Sequence, residues 1–138
     1  MSLSNFKMKK LNLIKCCLAN EGLIEILKGS NFLQPLTKLI ISSNDIGDTG
    51  LETLSKCASL QNLSYLDLGF NQIGDDGIFH LADSSFVQNL ITLKLNDNKL
   101  SASGVSYICN SESLKKLVHL NLNSNSFGIQ GAQNLANA

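Results

Sequence analysis

The chain has 138 residues, a formal net charge of zero and a pI near 6.7. This length suggests one domain, and the neutral charge provides no attraction toward nucleic acid or an anionic membrane. All eleven basic residues are lysine, so the chain has no arginine to offer to a nucleotide as an arginine finger. No stretch approaches the roughly eighteen apolar residues of a membrane span, and the polar first residues do not resemble a signal peptide.

An eleven-residue pattern, L-x-x-L-x-L-x-x-N-x-L, is repeated along the chain. It is complete at residues 90–100, and related copies occupy residues 8–18, 36–46, 63–73 and 117–127. The marker asparagines Asn44, Asn71, Asn98 and Asn125 are each 27 residues apart, and Cys16 holds the same place 28 residues before Asn44. A fixed period of this length indicates a stack of about five repeated supersecondary units.

Each repeat is predicted to begin with a short strand and to continue into a helix. Alternation in the L-x-L core indicates a strand, with the first, fourth, sixth and eleventh motif residues facing inward. The first helix is expected from Asn20 to Leu27, followed by a return that ends at Pro35. In the later repeats, apolar pairs three residues apart predict one buried helix face: Leu51 with Leu54, Ile78 with Leu81, and Val105 with Ile108. Leu60, Val87 and Leu114 are expected to close the returns.

Asparagine, glycine and small acidic residues recur at fixed places in the repeats. The marker asparagines, with Cys16 in the same place, are expected to form a buried ladder that satisfies backbone groups of adjacent coils. Glycine recurs near each predicted helix start, which indicates a tight turn or close approach of the neighbouring coil: Gly22, Gly50, Gly77, Gly104 and Gly131. Aspartate and serine in the preceding turns fit helix N-caps.

The five motifs resemble the leucine-rich repeat family over roughly residues 8 to 138. The period of 27 to 28 residues and the helical second halves are similar to its ribonuclease-inhibitor-like class. The resemblance implies an α/β solenoid, formed by residues 1–138 as a single leucine-rich repeat domain. In such a right-handed β-α superhelix a curved parallel sheet forms the concave face and helices form the convex face.

The two ends of the chain suggest how the array is completed. Residues 1–7 form a polar lead-in that is expected to cover part of the open face of the first coil. The fifth repeat stops partway through its helix, and an array normally needs a polar cap at each end. We therefore expect a fragment of a longer array, a frayed terminal helix, or docking of this end on another copy.

Candidate binding residues lie at the exposed third, fifth, seventh and eighth motif positions. Most of these positions hold small polar residues, and the exceptions fall in adjacent repeats. Exposed aromatics ringed by polar groups resemble a protein-binding hot spot. The candidates are Lys38, Ile40, Tyr65, Asp67, Phe70, Lys94 and His119. In the alternative reading, Phe70 folds over the loop edge, Tyr65 is only a good strand former, and Asp67 and Lys94 form a surface pair of little energetic value.

Catalytic, metal and cofactor sites are not expected. His80 and His119 lie more than one repeat apart, and neither has the nearby nucleophile and acid that a catalytic relay needs. Asp75 and Asp76 lack the alternating acidic ligands and closing glutamate of a calcium loop. The four cysteines match no zinc or redox spacing and, as free thiols, suit a reducing compartment.

The family resemblance implies a non-enzymatic module that binds another protein, and not nucleic acid, membrane or a small-molecule substrate. An intracellular location is expected, either as a bacterial effector delivered into a host cell or as part of a cytosolic sensor array. The alternative is a scaffold segment, which self-associates weakly through its uncapped end or belongs to a longer protein whose active part lies elsewhere.

Overall fold

The computed structural model describes residues 7–138, so all but the last residue of the predicted polar lead-in lies outside it. The strands are β1 (Lys10–Asn12), β2 (Lys38–Ile40), β3 (Tyr65–Asp67), β4 (Thr92–Lys94) and β5 (His119–Asn121). The α-helices are α1 (Ala19–Leu27), α2 (Ser30–Leu33), α3 (Asp48–Ser55), α4 (Asp75–Ala82), α5 (Ala102–Cys109) and α6 (Gly128–Ala136). Short 3-10 helices at Ala58–Leu60 and Ser85–Asn89 form two of the returns.

The strands form one parallel sheet in chain order, and the helices stack in a second layer. Equivalent motif residues pair across the sheet, as Lys38 pairs with Tyr65 and Tyr65 with Thr92. Each coil of the chain therefore lies directly on the coil before it. This arrangement confirms the predicted α/β solenoid of stacked strand-helix repeats.

The inward-facing motif residues form one continuous core between the two layers. In the third coil Leu63, Leu66, Leu68 and Ile73 are fully buried. In the fifth coil Leu117, Leu120 and Leu122 are only half-buried. The difference arises because the fifth coil has only one neighbouring coil among the described residues, so one side of its apolar surface is left without a partner.

The marker asparagines make the hydrogen bonds of a ladder. The Asn71 Oδ1 accepts from the amides of Asn44 and Ile46 at 3.1 and 3.0 Å. Its Nδ2 donates to carbonyls of the preceding coil and its own, those of Ile41, Leu68 and Gly69. At the first rung, Cys16 is exposed, and its amide donates to the Asn44 side chain while its thiol lies against the Ile14 carbonyl. Cys16 is therefore held by the ladder but does not extend it.

The acidic turn residues act as helix N-caps, and each caps the helix of the next coil rather than its own. The Asp48 Oδ1 accepts from the Gly74 amide at 2.7 Å, at the start of α4. The Asp75 Oδ1 accepts from the amides of Ser101 and Gly104, both at 2.9 Å, at the start of α5. Asn20 caps α3 in the same way. The Ser101 hydroxyl, in contrast, caps its own helix, where it accepts from the Ser103 amide.

These caps explain three of the recurring glycines, Gly50, Gly77 and Gly104, whereas Gly22 and Gly131 face the side chains of Leu18 and Phe127. A Cβ at Gly50 or Gly77 would lie 2.6 Å from the Oδ1 of Asn20 or Asp48, respectively. Since real Cβ atoms do not approach oxygen so closely, any larger residue would displace the cap. Of the two predicted reasons for glycine, close approach of the neighbouring coil is the one that applies at these positions.

The cap series stops at Ala102, which occupies the place of Asp48 and Asp75. Downstream, Gly128 adopts a φ of +57°, whereas the equivalent Gly74 is extended with a φ of −105°. We expect Ala102→Asp to cap α6 and to raise the free energy of unfolding by about 1 kcal/mol. Urea unfolding of Ala102→Asp and Ser103→Asp tests this, because Ser103→Asp adds the same charge to α5 without reaching α6. Equal effects of the two substitutions would contradict the capping explanation.

Candidate functional site

The exposed motif positions of the five coils form one continuous surface, called the strand face below. Its third-position column comprises Lys10, Lys38, Tyr65, Thr92 and His119, which pair in register across the sheet. Its fifth-position column comprises Asn12, Ile40, Asp67, Lys94 and Asn121. Because neighbouring strands lie about 4.8 Å apart, each side chain in a column can contact those on either side of it.

Four of the predicted binding residues meet at the centre of the strand face. The Lys38 Nζ lies 3.9 Å from the centroid of the Tyr65 ring, and the Lys94 Nζ lies 5.6 Å from it. The Lys94 Nζ also lies 3.7 Å from a carboxylate oxygen of Asp67. The ring is therefore held between two ammonium groups, both within the range of a cation–π interaction.

The central lysine is held in its charged form. The pKa of Lys94 is raised, first by hydrogen bonding toward the Tyr65 side chain and then by the negative charge of Asp67. Asp67 is itself oriented by the Gly69 amide, which donates to its Oδ1 at 3.0 Å. Cation–π contacts, an ion pair and a backbone hydrogen bond therefore connect Lys38, Tyr65, Asp67 and Lys94 into one cluster.

Phe70 follows β3 and is separate from this cluster. Its side chain is 58% exposed, so much of the ring surface is open to solvent. Its φ is +53°, in the left-handed region that large side chains rarely adopt. The equivalent positions in the other coils have the same backbone shape and hold polar residues: Lys15, Ser43, Asp97 and Ser124.

The two remaining candidates flank the cluster on opposite sides. His119 is exposed and lines a shallow pocket of about 250 Å³ together with Lys94, Thr92 and Asn121. Ile40 is half-buried and pairs with Asp67 in the sheet. The structure thus groups six candidates on adjacent strands, with Phe70 at the end of β3.

The structure reveals one surface feature that the sequence analysis did not identify. Phe79 on α4 and Tyr107 on α5 are exposed and stack against each other on the helical side. Each is adjacent in sequence to an inward-facing core residue, and only their outward orientation distinguishes them from the core. The sequence did contain a signal for this feature. Both residues are large aromatics at helix positions outside the set that the repeat period assigns to the core.

Two of the four cysteine thiols, those of Cys57 and Cys109, are half-buried. Burial raises the pKa values of Cys57 and Cys109, so both thiols are less nucleophilic than an ordinary cysteine. Within residues 7–138 no cluster of three or more histidine, cysteine or acidic side chains could hold a metal ion. No helix in this part of the chain is long and apolar enough to cross a membrane.

Comparison with known proteins identifies the repeats. A family profile described as Leucine Rich repeat matches residues 4–27, 32–55, 59–82, 88–109 and 113–136. Among solved structures, an internalin from Listeria monocytogenes matches with 28% identity and a TM-score of 0.57. The match covers 80% of this chain and 28% of the internalin chain, so the present chain spans a minor part of that protein's length. Curated protein sequences contain no significant match.

Proposed function

Because the chain belongs to the leucine-rich repeat family, whose members commonly bind other proteins, we propose that its strand face binds a protein partner without catalysing a reaction. The observation that carries this proposal is the ordered cluster of Tyr65 between two lysines. An ordered site loses less conformational entropy on binding than a mobile one. Aromatic side chains in such a setting are typical hot-spot residues.

The charge of the strand face favours an acidic partner. Its four columns contain four lysines, Lys10, Lys15, Lys38 and Lys94, and two aspartates, Asp67 and Asp97. A partner segment that carries carboxylates beside an apolar group would meet both the ammonium groups and the Tyr65 ring. Such complementarity increases the rate of association and excludes basic partners.

Phe70 provides an independent argument for binding. A bulky residue in the left-handed region costs on the order of 1 kcal/mol, and the exposed ring recovers little of this cost by burial. Polar residues occupy the same position in the other coils, so the fold does not need an aromatic there. A contact with a partner would account for its presence.

A pull-down from lysate of the source or host organism tests the proposal. The double variant Tyr65→Thr/Phe70→Ser is matched to the repeats, since Thr92 and Ser43 hold the same two positions in other coils. We expect it to remain folded by circular dichroism and to bind at least about thirtyfold more weakly. Ile91→Ser, which reproduces Ser64 at the same repeat position and lies outside the strand-face columns, serves as the control variant. Equal retention of the partner by wild type and double variant would contradict a strand-face site.

A scaffold role is the second candidate, and the fifth coil favours it. There Leu117, Leu120 and Leu122 are half-buried, Val118 is 68% exposed and Ile129 is 80% exposed. Docking of a second copy on this surface would cover these side chains. Concentration-dependent dimers in light scattering would support the scaffold role, whereas a monomer at all concentrations would refute self-association through this end.

The proposed setting is intracellular. Four free thiols are expected to persist in a reducing compartment. Within that setting the chain would act either as a bacterial effector inside a host cell or as part of a cytosolic sensor. The similarity to an internalin is compatible with a bacterial source, and the identity of the pulled-down partner would distinguish the two roles.

A further inference from the structure

A second surface, on the helical side, carries an aromatic pair that the core does not use. The ring centroids of Phe79 and Tyr107 lie 5.2 Å apart with an interplanar angle of 69°. The two side chains remain 53% and 38% exposed. Residues so exposed add little to the stability of the core, and an exposed aromatic pair is typical of a binding surface.

The pair forms part of a groove between α4 and α5. The groove has a volume of about 390 Å³ and is also lined by Ala82, Asp83 and Glu112. At its floor the Ser111 hydroxyl donates to the Ala82 carbonyl at 2.5 Å, which links the ends of the two helices. The groove is thus present in the unbound chain and does not need a ligand side chain to open it.

The groove has a negative electrostatic character. The carboxylates of Asp83 and Glu112 line it, and α4 and α5 end beside it, so that the partial negative charge of two helix C-termini adds to theirs. Lys115 forms an exposed ion pair with Glu112, but exposed pairs of this type contribute little and are easily exchanged. The groove therefore favours a cation.

The equivalent groove two repeats earlier shows that the fold does not impose these features. Between α1 and α3 a groove of about 350 Å³ is lined by Ile24, Thr53, Lys28 and Lys56. Lys28 and Lys56 occupy the repeat positions of Asp83 and Asn110, and Thr53 that of Tyr107. The same backbone arrangement thus carries two lysines, each paired with a glutamate one helical turn earlier (Glu25 and Glu52), and no aromatic side chain.

We propose that the groove between α4 and α5 binds a cationic side chain, preferentially arginine, presented by a protein partner. A guanidinium group stacks face-on against an aromatic ring, and its N–H groups pair with carboxylates that lie in the guanidinium plane. The groove offers both kinds of group. This surface is separate from the strand face and faces away from it. The proposal therefore stands or fails independently of the proposed function.

Titration of the isotopically labelled chain with short peptides, followed by NMR, tests the proposal. The probes are acetyl-Gly-Arg-Gly-amide and the same peptide with citrulline, which has nearly the same shape but no charge. We expect the arginine peptide at millimolar concentrations to shift the amide signals around Asp83, Tyr107 and Glu112. The citrulline peptide is expected to bind roughly tenfold more weakly, because it loses the cation–π interaction and the charge attraction.

Variants taken from the other repeats complete the test. Phe79→Ser, Tyr107→Thr and Asp83→Lys reproduce residues found at the same repeat positions in Ser106, Thr53 and Lys56, so each is expected to fold. Each should reduce the arginine response at least severalfold, whereas Ile91→Ser, which reproduces Ser64 and lies outside both this groove and the strand-face columns, should leave it unchanged. Equal responses to both peptides, shifts centred on the groove between α1 and α3, or no shifts at all would overturn the proposal.

Discussion

Asn71→Ala is expected to lower the free energy of unfolding by about 3 kcal/mol, which would be a large effect for removal of one polar side chain. Asn71 is only 4% exposed and makes five hydrogen bonds to the backbone of its own and the preceding coil. Alanine would leave the amides of Asn44 and Ile46 and several carbonyls without a partner. Water cannot replace the side chain at a buried position without opening the stack.

Urea unfolding followed by circular dichroism measures this loss, and Asn125→Ala provides the matched control. Asn125 holds the last rung of the ladder, accepts only from the Leu100 amide and is half-buried. Since water can reach that rung, we expect its loss to be less than half as large. A change below about 0.5 kcal/mol for Asn71→Ala would show that the ladder contributes nothing to stability beyond ordinary solvation.

Gly104→Ala is expected to destabilise the wild-type chain by about 2 kcal/mol, although alanine is the better helix former. A Cβ at Gly104 would overlap the Asp75 Oδ1, which accepts from the amides of Ser101 and Gly104. The methyl group would therefore push the carboxylate out of its capping position. After Asp75 is removed, the nearest remaining contact is an ordinary one of 3.4 Å to the Leu100 side chain.

The same substitution should consequently change sign in an Asp75→Ala background. There we expect Gly104→Ala to stabilise the chain by about 0.5 to 1 kcal/mol, the usual gain of alanine over glycine within a helix. Unfolding free energies of the wild type, both single variants and the double variant form the double-mutant cycle that measures this coupling. Additive effects would contradict a direct conflict between the Cβ and the cap.

The two proposed binding surfaces differ in charge. The strand face carries an excess of lysines around Tyr65, whereas the groove between α4 and α5 carries carboxylates around Phe79 and Tyr107. A solenoid can hold such different surfaces because its stability depends on the inward-facing residues of each coil, which are separate from the outward ones. The outward-facing side chains can therefore vary from coil to coil without loss of the fold.

The repeat period of the sequence was sufficient to predict how the coils stack on one another. Inward leucines at residues such as Leu66 and Leu93 recur with one spacing, and only stacking of equivalent coils buries all of them. The same period predicts that Lys38, Tyr65 and Thr92 lie in one column across the sheet. Periodicity succeeds here because burial of the core depends on residues that are equivalent in every coil.

The contacts between coils could only be seen in the tertiary structure. Asp48 and Asp75 look like caps of their own helices, since the nearest helix start in sequence is their own. Stacking brings the next helix start, 26 to 29 residues away along the chain, within hydrogen-bond distance of the carboxylate. The stacking of Phe79 on Tyr107 also joins residues of different coils. Such pairs follow from the side-chain rotamers and the packing between coils, which a pattern along one chain does not specify.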